Sequence, residues 1–248
     1  MPEGPSMIFL KEKVVSFIGE KVISVDGNAH KFEIGRLLNN KIIDFKTCGK
    51  EFLICFKQFT VRIHLQLFGS YSINARKSGK LRLGLTFGNG ELNFYACDAS
   101  LIEQPLEEIY DWSVEVMNDL WDPKKALKKL KEIPETLMCD ALLDQHIFAG
   151  VGNKLKDEVL FAANVHPESL VGKVPTKNMN MMLKDVVKKS FEYLQWEHDY
   201  RPEGFLKIHQ KKICPIHETA LVSETLGKTK RNTEYCEKCQ RLYKSHVK

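Results

Sequence analysis

Two short pairs of metal-binding residues constrain the fold of this chain more than any other feature. They read Cys214-x-x-His217 and Cys236-x-x-Cys239, with eighteen residues between them. Thiolates and imidazoles at this spacing can place four ligands tetrahedrally around Zn²⁺, and a fully ligated ion is structural and not catalytic. A small hairpin has little core of its own, so the metal would supply folding free energy. The pattern predicts one structural zinc ion per chain, with His209 or His246 as alternatives for the histidine ligand.

Length and cysteine content narrow the class of protein. At 248 residues, size alone predicts two domains. Seven cysteines are an odd number, and the four outside the metal pattern read as reduced thiols and not as a disulfide framework. These four are Cys48, Cys55, Cys97 and Cys139. No apolar run reaches membrane-spanning length, and the start lacks a signal-peptide pattern. We therefore expect a cytoplasmic protein without a membrane partner.

Positive charge is concentrated in the last segment. Residues 205–248 hold ten Lys and Arg against four Glu, a net charge of +6, while the whole chain carries +5. A local basic excess fits a polyanionic partner, although a solvated surface is the alternative reading. Lys228, Lys230 and Arg231 lie between the two halves of the metal pattern, where a finger tip would carry them to a phosphate.

The hydrophobic pattern divides the chain into three segments, so the predicted fold class is α+β and multidomain. Residues 1–115 predict a leading helix over Ser6–Gly19 and then a β-sandwich, with alternation over Leu81–Phe87 ahead of a Gly88-Asn89-Gly90 turn. Residues 122–204 predict a helical domain that starts at Asp122-Pro123 and has helices over 134–145, 153–164 and 175–196. Residues 205–248 predict a zinc-finger β-hairpin.

The N-terminal residues Met1-Pro2-Glu3-Gly4-Pro5 can carry covalent chemistry. An initiator Met is normally removed before a small residue, which would leave Pro2 with a secondary amine. Such an amine, partly unprotonated at neutral pH, can attack a sugar carbon and form a charged imine. Glu3 places a carboxyl group beside it. A solvated terminus is the alternative reading, and the chemistry depends on the removal of Met1.

Three further segments are candidate binding elements. Leu142–Asn153 contains two glycines and ends at Asn153, which is predicted to cap a helix whose N-terminus can bind phosphate. Gly49-Lys50 lies at a strand junction, and Gln66–Gly69 ends a strand. Taken singly, each segment has an equally good structural reading. Leu142–Asn153 can be an ordinary helix connection, Lys50 a solvated lysine, and Gln66–Gly69 a core pair before a turn.

Together and in this order, the segments resemble the formamidopyrimidine-DNA glycosylase/endonuclease VIII family of base-excision repair enzymes. The resemblance covers nearly the whole chain and includes the Pro-Glu-Gly-Pro start, Gly49-Lys50, His64–Gly69, Leu142–Glu158, His166-Pro167 and Arg231–Gln240. It implies that residues 122–204 form a helix–two-turns–helix DNA-binding domain between an N-terminal catalytic β-sandwich and the finger.

The resemblance also implies a function, a bifunctional DNA glycosylase and AP lyase acting on damaged double-stranded DNA. Pro2 matches the residue that attacks the sugar C1′, Glu3 the acid that protonates the opening ring, and Lys50 a lysine that assists beside the sugar. The resulting Schiff base leads to β- and δ-elimination without a nucleotide cofactor, and a monomer suffices. Gln66, Leu67 and Phe68 match the wedge that fills the space of the flipped base; Asn153 and Arg231 match the residues that grip phosphates.

Two details point to oxidised pyrimidines as substrates. The wedge Gln-Leu-Phe is closer to that of the endonuclease VIII branch, and Tyr95–Ser100 lacks the arginine-rich loop of the 8-oxoguanine branch.

The chain departs from the family at His217, where Cys is commoner, at Cys139, where many relatives have Lys, and over 197–212, where a base-capping loop cannot be aligned. The alternatives are an 8-oxoguanine/formamidopyrimidine glycosylase, a non-catalytic damaged-DNA-binding protein on this scaffold, and an RNA-binding zinc protein.

Overall fold

The computed structural model describes residues 2–200 and 206–244, and the chain divides into two compact units, Met1–Asp111 and Trp112–Lys248. The first unit contains one long helix, eight strands and a one-turn helix. These are α1 (Gly4–Lys13), β1 (Ser24–Asp26), β2 (Asp44–Cys48), β3 (Glu51–Cys55), β4 (Thr60–His64), β5 (Ser70–Ile73), β6 (Leu81–Phe87), β7 (Gly90–Tyr95), β8 (Asp98–Ile102) and α2 (Leu106–Ile109).

The strands of the first unit form two antiparallel four-stranded sheets, in the orders β1-β6-β7-β5 and β2-β3-β4-β8. The inward-facing residues of both sheets pack with α1 in one apolar core, which contains Phe45, Phe52 and Phe94. This arrangement confirms the predicted β-sandwich with a leading helix. The predicted hairpin is also present, because Phe87 pairs with Gly90 across a two-residue turn.

The leading helix is shorter than the sequence predicted. α1 ends at Lys13, and a short 3₁₀ turn over Val15–Phe17 follows it. The consecutive β-branched residues Val14 and Val15 restrict side-chain rotamers in a helix, which favours a break at this point. The backbone of Val14 (φ −107°, ψ 4°) has already left the helical conformation.

The second unit is helical and ends in a two-stranded antiparallel hairpin. Its elements are α3 (Pro123–Lys131), α4 (Met138–Ala141), α5 (Asn153–Ala162), α6 (Thr176–His198), β9 (Val222–Leu226) and β10 (Arg231–Tyr235). As predicted, Asp122 caps α3, since its carboxylate accepts hydrogen bonds from the amides of Lys124 and Lys125 at 2.8 and 3.2 Å. Within the described residues, none of the helices combines the length and apolar character that crossing a bilayer requires.

The predicted helix over 134–145 is wrong for most of its length. Only the single turn α4 forms, because the backbone before it pairs with a neighbouring loop. Leu137 bridges Leu170, and the amide of Val171 donates to the carbonyl of Thr136 at 2.9 Å. These hydrogen bonds use backbone groups that a longer helix would need for itself.

Candidate functional site

Pro2 and Glu3 stand directly before α1, and the sequence explains why the helix begins there. Pro5 lies in the first turn, where its missing amide hydrogen has no cost. The backbone of Glu3 is extended, and its carbonyl accepts two amides of the first turn at 3.0 and 3.3 Å. The side chain of Glu3 does not cap the helix, and the residue is 1% exposed, whereas Pro2 is half-buried. Met1 lies outside the described residues.

Lys50 occupies the two-residue turn of the β2–β3 hairpin. Gly49 precedes it with φ +59°, the left-handed conformation that a type II′ turn requires at its first central position. Cys48 and Glu51 are the last paired residues on either side. Since α1 packs against both strands of this hairpin, Lys50 and the pair Pro2-Glu3 are carried by elements that contact each other.

The predicted wedge is an exposed turn between β4 and β5. Leu67 and Phe68 are 49% and 83% exposed, so they are not the core pair of the alternative reading. Gln66 adopts φ +52°, and its amide donates to Nδ1 of His64 at 3.1 Å. Burial lowers the pKa of His64, which keeps this nitrogen available as an acceptor. At Gly69 any side chain would collide with the carbonyl of Leu65, so the turn is tight.

The segment before α5 is held together by the side chain of Gln145. Its Oε1 accepts the amide of Gly150 at 3.1 Å, and its Nε2 donates to the carbonyls of Leu143 and Val151 at 2.8 and 3.0 Å. One amide side chain therefore closes both turns of the helix–two-turns–helix segment. This places the N-terminus of α5 in a fixed orientation within the second unit.

Asn153 is not the N-cap that the sequence predicted. Gly152 occupies the N-cap with an extended backbone (φ −121°, ψ −162°), and Asn153 is the first helical residue. Its Oδ1 is shielded from solvent and has no hydrogen-bond partner among the described residues. Phosphate oxygens only accept hydrogen bonds at neutral pH, so Nδ2 is the atom of Asn153 that would contact one.

The four metal-pattern residues come together in the C-terminal hairpin. The ligand atoms of Cys214, His217, Cys236 and Cys239 all lie within 4.8 Å of one another. Sγ of Cys239 is 3.6 Å from Sγ of Cys214 and 3.1 Å from Nδ1 of His217. Tetrahedral ligation with Zn–S bonds of about 2.3 Å requires S···S separations of about 3.8 Å. The donor set and its spacing therefore fit an ion of this kind.

Among the described residues, His217 is the histidine of this cluster. His209 belongs to a different group of side chains, and His246 lies outside the described residues. Around the four residues the hairpin has only a small core, in which Phe161 of α5 packs with Ile208. A metal ion would therefore supply much of the stability that this segment lacks.

The tip of the hairpin is bound by a carboxylate of the helical segment. Asp140 of α4 accepts hydrogen bonds from the amides of Lys228 and Thr229 at 2.9 and 3.1 Å, and from the hydroxyl of Thr229 at 2.9 Å. Arg231 begins β10 just beyond this tip and is exposed.

Cys139, next to Asp140, is buried, and burial raises its pKa to about 11, so its neutral thiol cannot replace a lysine as a phosphate ligand.

Sequence reasoning missed a buried group of ionisable side chains between α5 and the hairpin. Nδ1 of His209 lies 2.6 Å from Oδ2 of Asp157 and 3.1 Å from Oε2 of Glu234. Burial acts to lower the pKa of His209, but its hydrogen bonds to the two carboxylates outweigh burial and raise the pKa to about 9. Lys156, fully buried, contacts Oδ1 of Asp157 at 3.2 Å. No sequence spacing connects positions 156, 209 and 234, so only the tertiary structure identifies this group.

The candidate residues fall into two sets. The first unit holds Pro2, Glu3, Lys50, Gln66, Leu67 and Phe68, and the second holds Asn153, Arg231 and the metal cluster. In the second unit α5 packs against β10, so the elements that carry Asn153 and Arg231 are in contact.

Comparisons with known proteins agree with this architecture. Residues 114–193 match the family model described as the formamidopyrimidine-DNA glycosylase H2TH domain. The chain is 30% identical over 196 residues to "Endonuclease 8-like 2" of Homo sapiens, an alignment that covers 73% of this chain and 57% of the relative. The chain thus spans little more than half the length of that curated relative.

A bacterial relative and a solved structure match over more of their length. The chain is 28% identical over 239 residues to "Formamidopyrimidine-DNA glycosylase" of Mycoplasma mobile, with 83% of each chain covered. Its fold is similar to the crystal structure of the Lactococcus lactis formamidopyrimidine-DNA glycosylase bound to DNA that contains an AP site. That likeness has a TM-score of 0.85 at 20% identity and covers 96% of this chain and 99% of the other.

Proposed function

We propose that this chain, which belongs to the formamidopyrimidine-DNA glycosylase/endonuclease VIII family on its endonuclease VIII-like side, is a bifunctional DNA glycosylase and AP lyase that removes oxidised bases from duplex DNA. The observation that carries the proposal is the position of Pro2 next to the buried Glu3 at the start of α1, a helix that packs against the hairpin that carries Lys50. A non-catalytic DNA-binding protein has no use for this combination.

In the proposed reaction, the amine of Pro2 attacks C1′ of the damaged nucleotide and the C1′–base bond breaks. Glu3 delivers a proton to the ring oxygen as the sugar opens, which leaves an iminium ion between C1′ and the Pro2 nitrogen. The iminium withdraws electrons and acidifies the proton at C2′. Loss of that proton expels the 3′-phosphate, and a second elimination expels the 5′-phosphate. The ammonium of Lys50 stabilises negative charge that develops near the sugar.

The exposed turn at 66–68 supports the proposed access to the damaged base. A base must leave the duplex before C1′ can be attacked, and unstacking costs a few kcal/mol. Leu67 and Phe68 are apolar and exposed, as a wedge inserted between base steps must be. In the second unit, Asn153 and Arg231 are proposed to bind the phosphates beside the flipped nucleotide, with damaged duplex DNA as the partner of a single chain.

The segment 95–100 supports a preference for oxidised pyrimidines with weak discrimination of the opposite base. It is a direct link between β7 and β8, with only Ala96 and the buried Cys97 between the strands. Asp98 pairs with His64 in the sheet and binds the ammonium of Lys31 at 2.6 Å. This segment therefore offers neither a protruding loop nor an arginine that could contact an orphaned cytosine.

The metal cluster is proposed to hold one structural zinc ion through Cys214, His217, Cys236 and Cys239. With all four positions filled by protein ligands, no open site remains for substrate. The ion would supply folding free energy to the hairpin, and the chemistry on the sugar belongs to Pro2 and Glu3.

All seven cysteines lie in the described part of the chain and none is in a disulfide, which supports a reducing compartment such as the cytoplasm.

The central test is chemical trapping of the imine. Protein whose Met1 has been removed is incubated with a duplex containing an abasic site, and borohydride is added. We expect a covalent protein–DNA adduct that is abolished when the terminal amine is blocked, whereas active, Met-free protein that yields no adduct would refute the proposal. Comparable excision of thymine glycol and of 8-oxoguanine paired with C from matched duplexes would refute the pyrimidine preference alone.

A further inference from the structure

Lys156 is a charged residue that the proposed chemistry does not use, yet it is fully buried. It lies on α5, three residues after Asn153, and its exposed fraction is 0%. Lysine is almost never fully buried unless its ammonium is paired, because removing the charge from water is costly. The groups that pair with its ammonium therefore indicate the structural role of Lys156.

The ammonium of Lys156 bridges α5 to the first residues of β10. Its Nζ lies 2.6 Å from Oγ1 of Thr233 and 3.1 Å from the carbonyl oxygen of Asn232. The hydroxyl of Thr233 in turn donates to the carbonyl of Arg231 at 3.1 Å. A continuous hydrogen-bonded path thus runs from the helix that starts with Asn153 to the backbone of Arg231.

The charges around Lys156 leave no place for a further cation. Lys156 and a protonated His209 supply two positive charges, whereas Glu234 is anionic and burial raises the pKa of Asp157 to about 7, so the two carboxyl groups supply at most two negative charges. A divalent ion held by Asp157, His209 and Glu234 would place a net positive charge next to the ammonium. We therefore interpret the group as an ionic joint between α5 and the hairpin, and not as a second metal site.

This joint acts at a different place from the hydrogen bonds at the hairpin tip and from the metal cluster. Asp140 holds the tip at Lys228 and Thr229, and the metal cluster lies beyond the other end of β10. Lys156 acts at the start of β10, where Arg231 stands. An isolated two-stranded hairpin is only marginally stable, so the position of this strand depends on such attachments.

We infer that Lys156, through Thr233, is a positioning residue that sets the backbone of Arg231 relative to Asn153, so that the two can bind phosphates of one DNA strand together. The inference rests on the proposed function, because Arg231 and Asn153 are phosphate ligands only if the chain binds DNA. Lys156 would thus shape the DNA-binding surface without contacting DNA, because its side chain is fully buried. Its mode of action is geometric, so its loss weakens binding only while Arg231 is present.

The sharpest test changes the middle of the path and leaves the buried charges in place. Thr233→Val removes the hydroxyl but keeps the shape, and Thr233→Ser restores a hydroxyl as the rescue variant. Ser190→Ala is the matched control, because it also removes a buried hydroxyl hydrogen bond of the second unit, to the carbonyl of Val186 at 2.7 Å on α6. Lys156→Met is a further variant, provided that thermal unfolding shows that it folds.

The measurement is the dissociation constant for a duplex that carries a stable abasic-site analogue, taken over a range of salt concentrations. For Thr233→Val we expect binding about 5- to 10-fold weaker, the value of about one hydrogen bond, and a salt slope smaller by about one. Thr233→Ser and Ser190→Ala should bind as the unmodified protein does. In an Arg231→Ala background, Thr233→Val should have no further effect, which is the signature of coupled residues.

Two results would overturn the inference. One is an unchanged dissociation constant for Thr233→Val, and the other is full additivity of Thr233→Val with Arg231→Ala. These outcomes differ from failure of the proposed function, in which the unmodified protein forms no borohydride-trapped adduct and does not prefer the abasic duplex. An equal loss of binding in Ser190→Ala would assign the effect to stability and likewise contradict a positioning role.

Discussion

Thr229 donates both its amide and its hydroxyl to a single carboxylate oxygen, Oδ1 of Asp140, at 3.1 and 2.9 Å. The two residues are 89 positions apart in the sequence. One carboxylate of the helical segment therefore fixes the turn from which Arg231 emerges.

Asp140→Ala should free this tip. Loss of the charged acceptor removes hydrogen bonds worth about 1.5–3 kcal/mol each in favourable cases, so we expect faster amide hydrogen exchange at Lys228 and Thr229. DNA binding should weaken, with a smaller effect on global unfolding. Asp119→Ala, at an exposed position of the same unit, is the control and should leave exchange unchanged. Unaltered exchange at both residues in Asp140→Ala would contradict the proposed attachment.

Removal of metal should unfold the hairpin and spare the helices. We expect purified protein to contain about one zinc ion per chain, and Cys236→Ser or a strong chelator to abolish both the metal and DNA binding. Circular dichroism should show that most helical signal remains. Cys55→Ala, a cysteine outside the cluster, should keep its zinc. A metal-free protein that retains DNA binding and hairpin hydrogen-exchange protection would show that the ion is not structural.

Phe68→Ala should slow excision without destabilising the fold. Phe68 is 83% exposed, so its loss should change the free energy of unfolding by less than about 0.5 kcal/mol. The rate of base removal from duplex should fall by about 10-fold or more, because the vacated stack is no longer filled. Ile23→Ala, which truncates another exposed apolar residue of the first unit, serves as the control. An equal loss on single-stranded substrate would argue against a wedge.

The buried pair His209–Asp157 should make stability depend on pH. The pKa of His209 is about 9 in the folded protein and 6.5 ordinarily, so folding favours the protonated ring. The contribution of His209 is present below pH 6.5 and is lost as the pH rises through 9, while burial raises the pKa of Asp157 to about 7 and so weakens the ionic part of the pair at the acidic end of this window. We expect the difference in unfolding free energy between the unmodified protein and His209→Gln to shrink over this window by an amount on the order of 2 kcal/mol. Urea denaturation at both ends measures it, and a constant difference would refute a charged His209.

Local patterns in the sequence were sufficient for the sandwich, the capped start of α3 and the metal cluster. Each of these is encoded by neighbours in the chain, such as alternating apolar residues, Asp before Pro, or ligands two residues apart. The predicted cap at Asn153 was wrong by one residue, since Gly152 holds the N-cap position and Asn153 already lies inside the helix. The helix over 134–145 failed because pairing with Leu170 is a tertiary contact.

The buried ionic joint was beyond the reach of sequence reasoning for a different reason. Lysine and aspartate on a helix ordinarily indicate a solvated face, and Lys156 and Asp157 carry no sign of their burial. Their partners, Thr233 and His209, are separated from them by 77 and 52 positions. The buried face of α5 could be identified only once the hairpin was known to lie against this helix.

The distances along the chain between the hairpin and its anchors have a kinetic consequence. Contacts spanning 77 and 89 residues close large loops, and the entropy of closing them slows the steps that depend on them. We expect refolding to assemble the helices first and to dock the hairpin afterwards, so that amides of β10 become protected later than those of α6. Simultaneous protection of both in a pulse-labelling experiment would contradict this order. Between the assembly of the helices and the docking of the hairpin, the chain would be largely folded but would not yet bind nucleic acid.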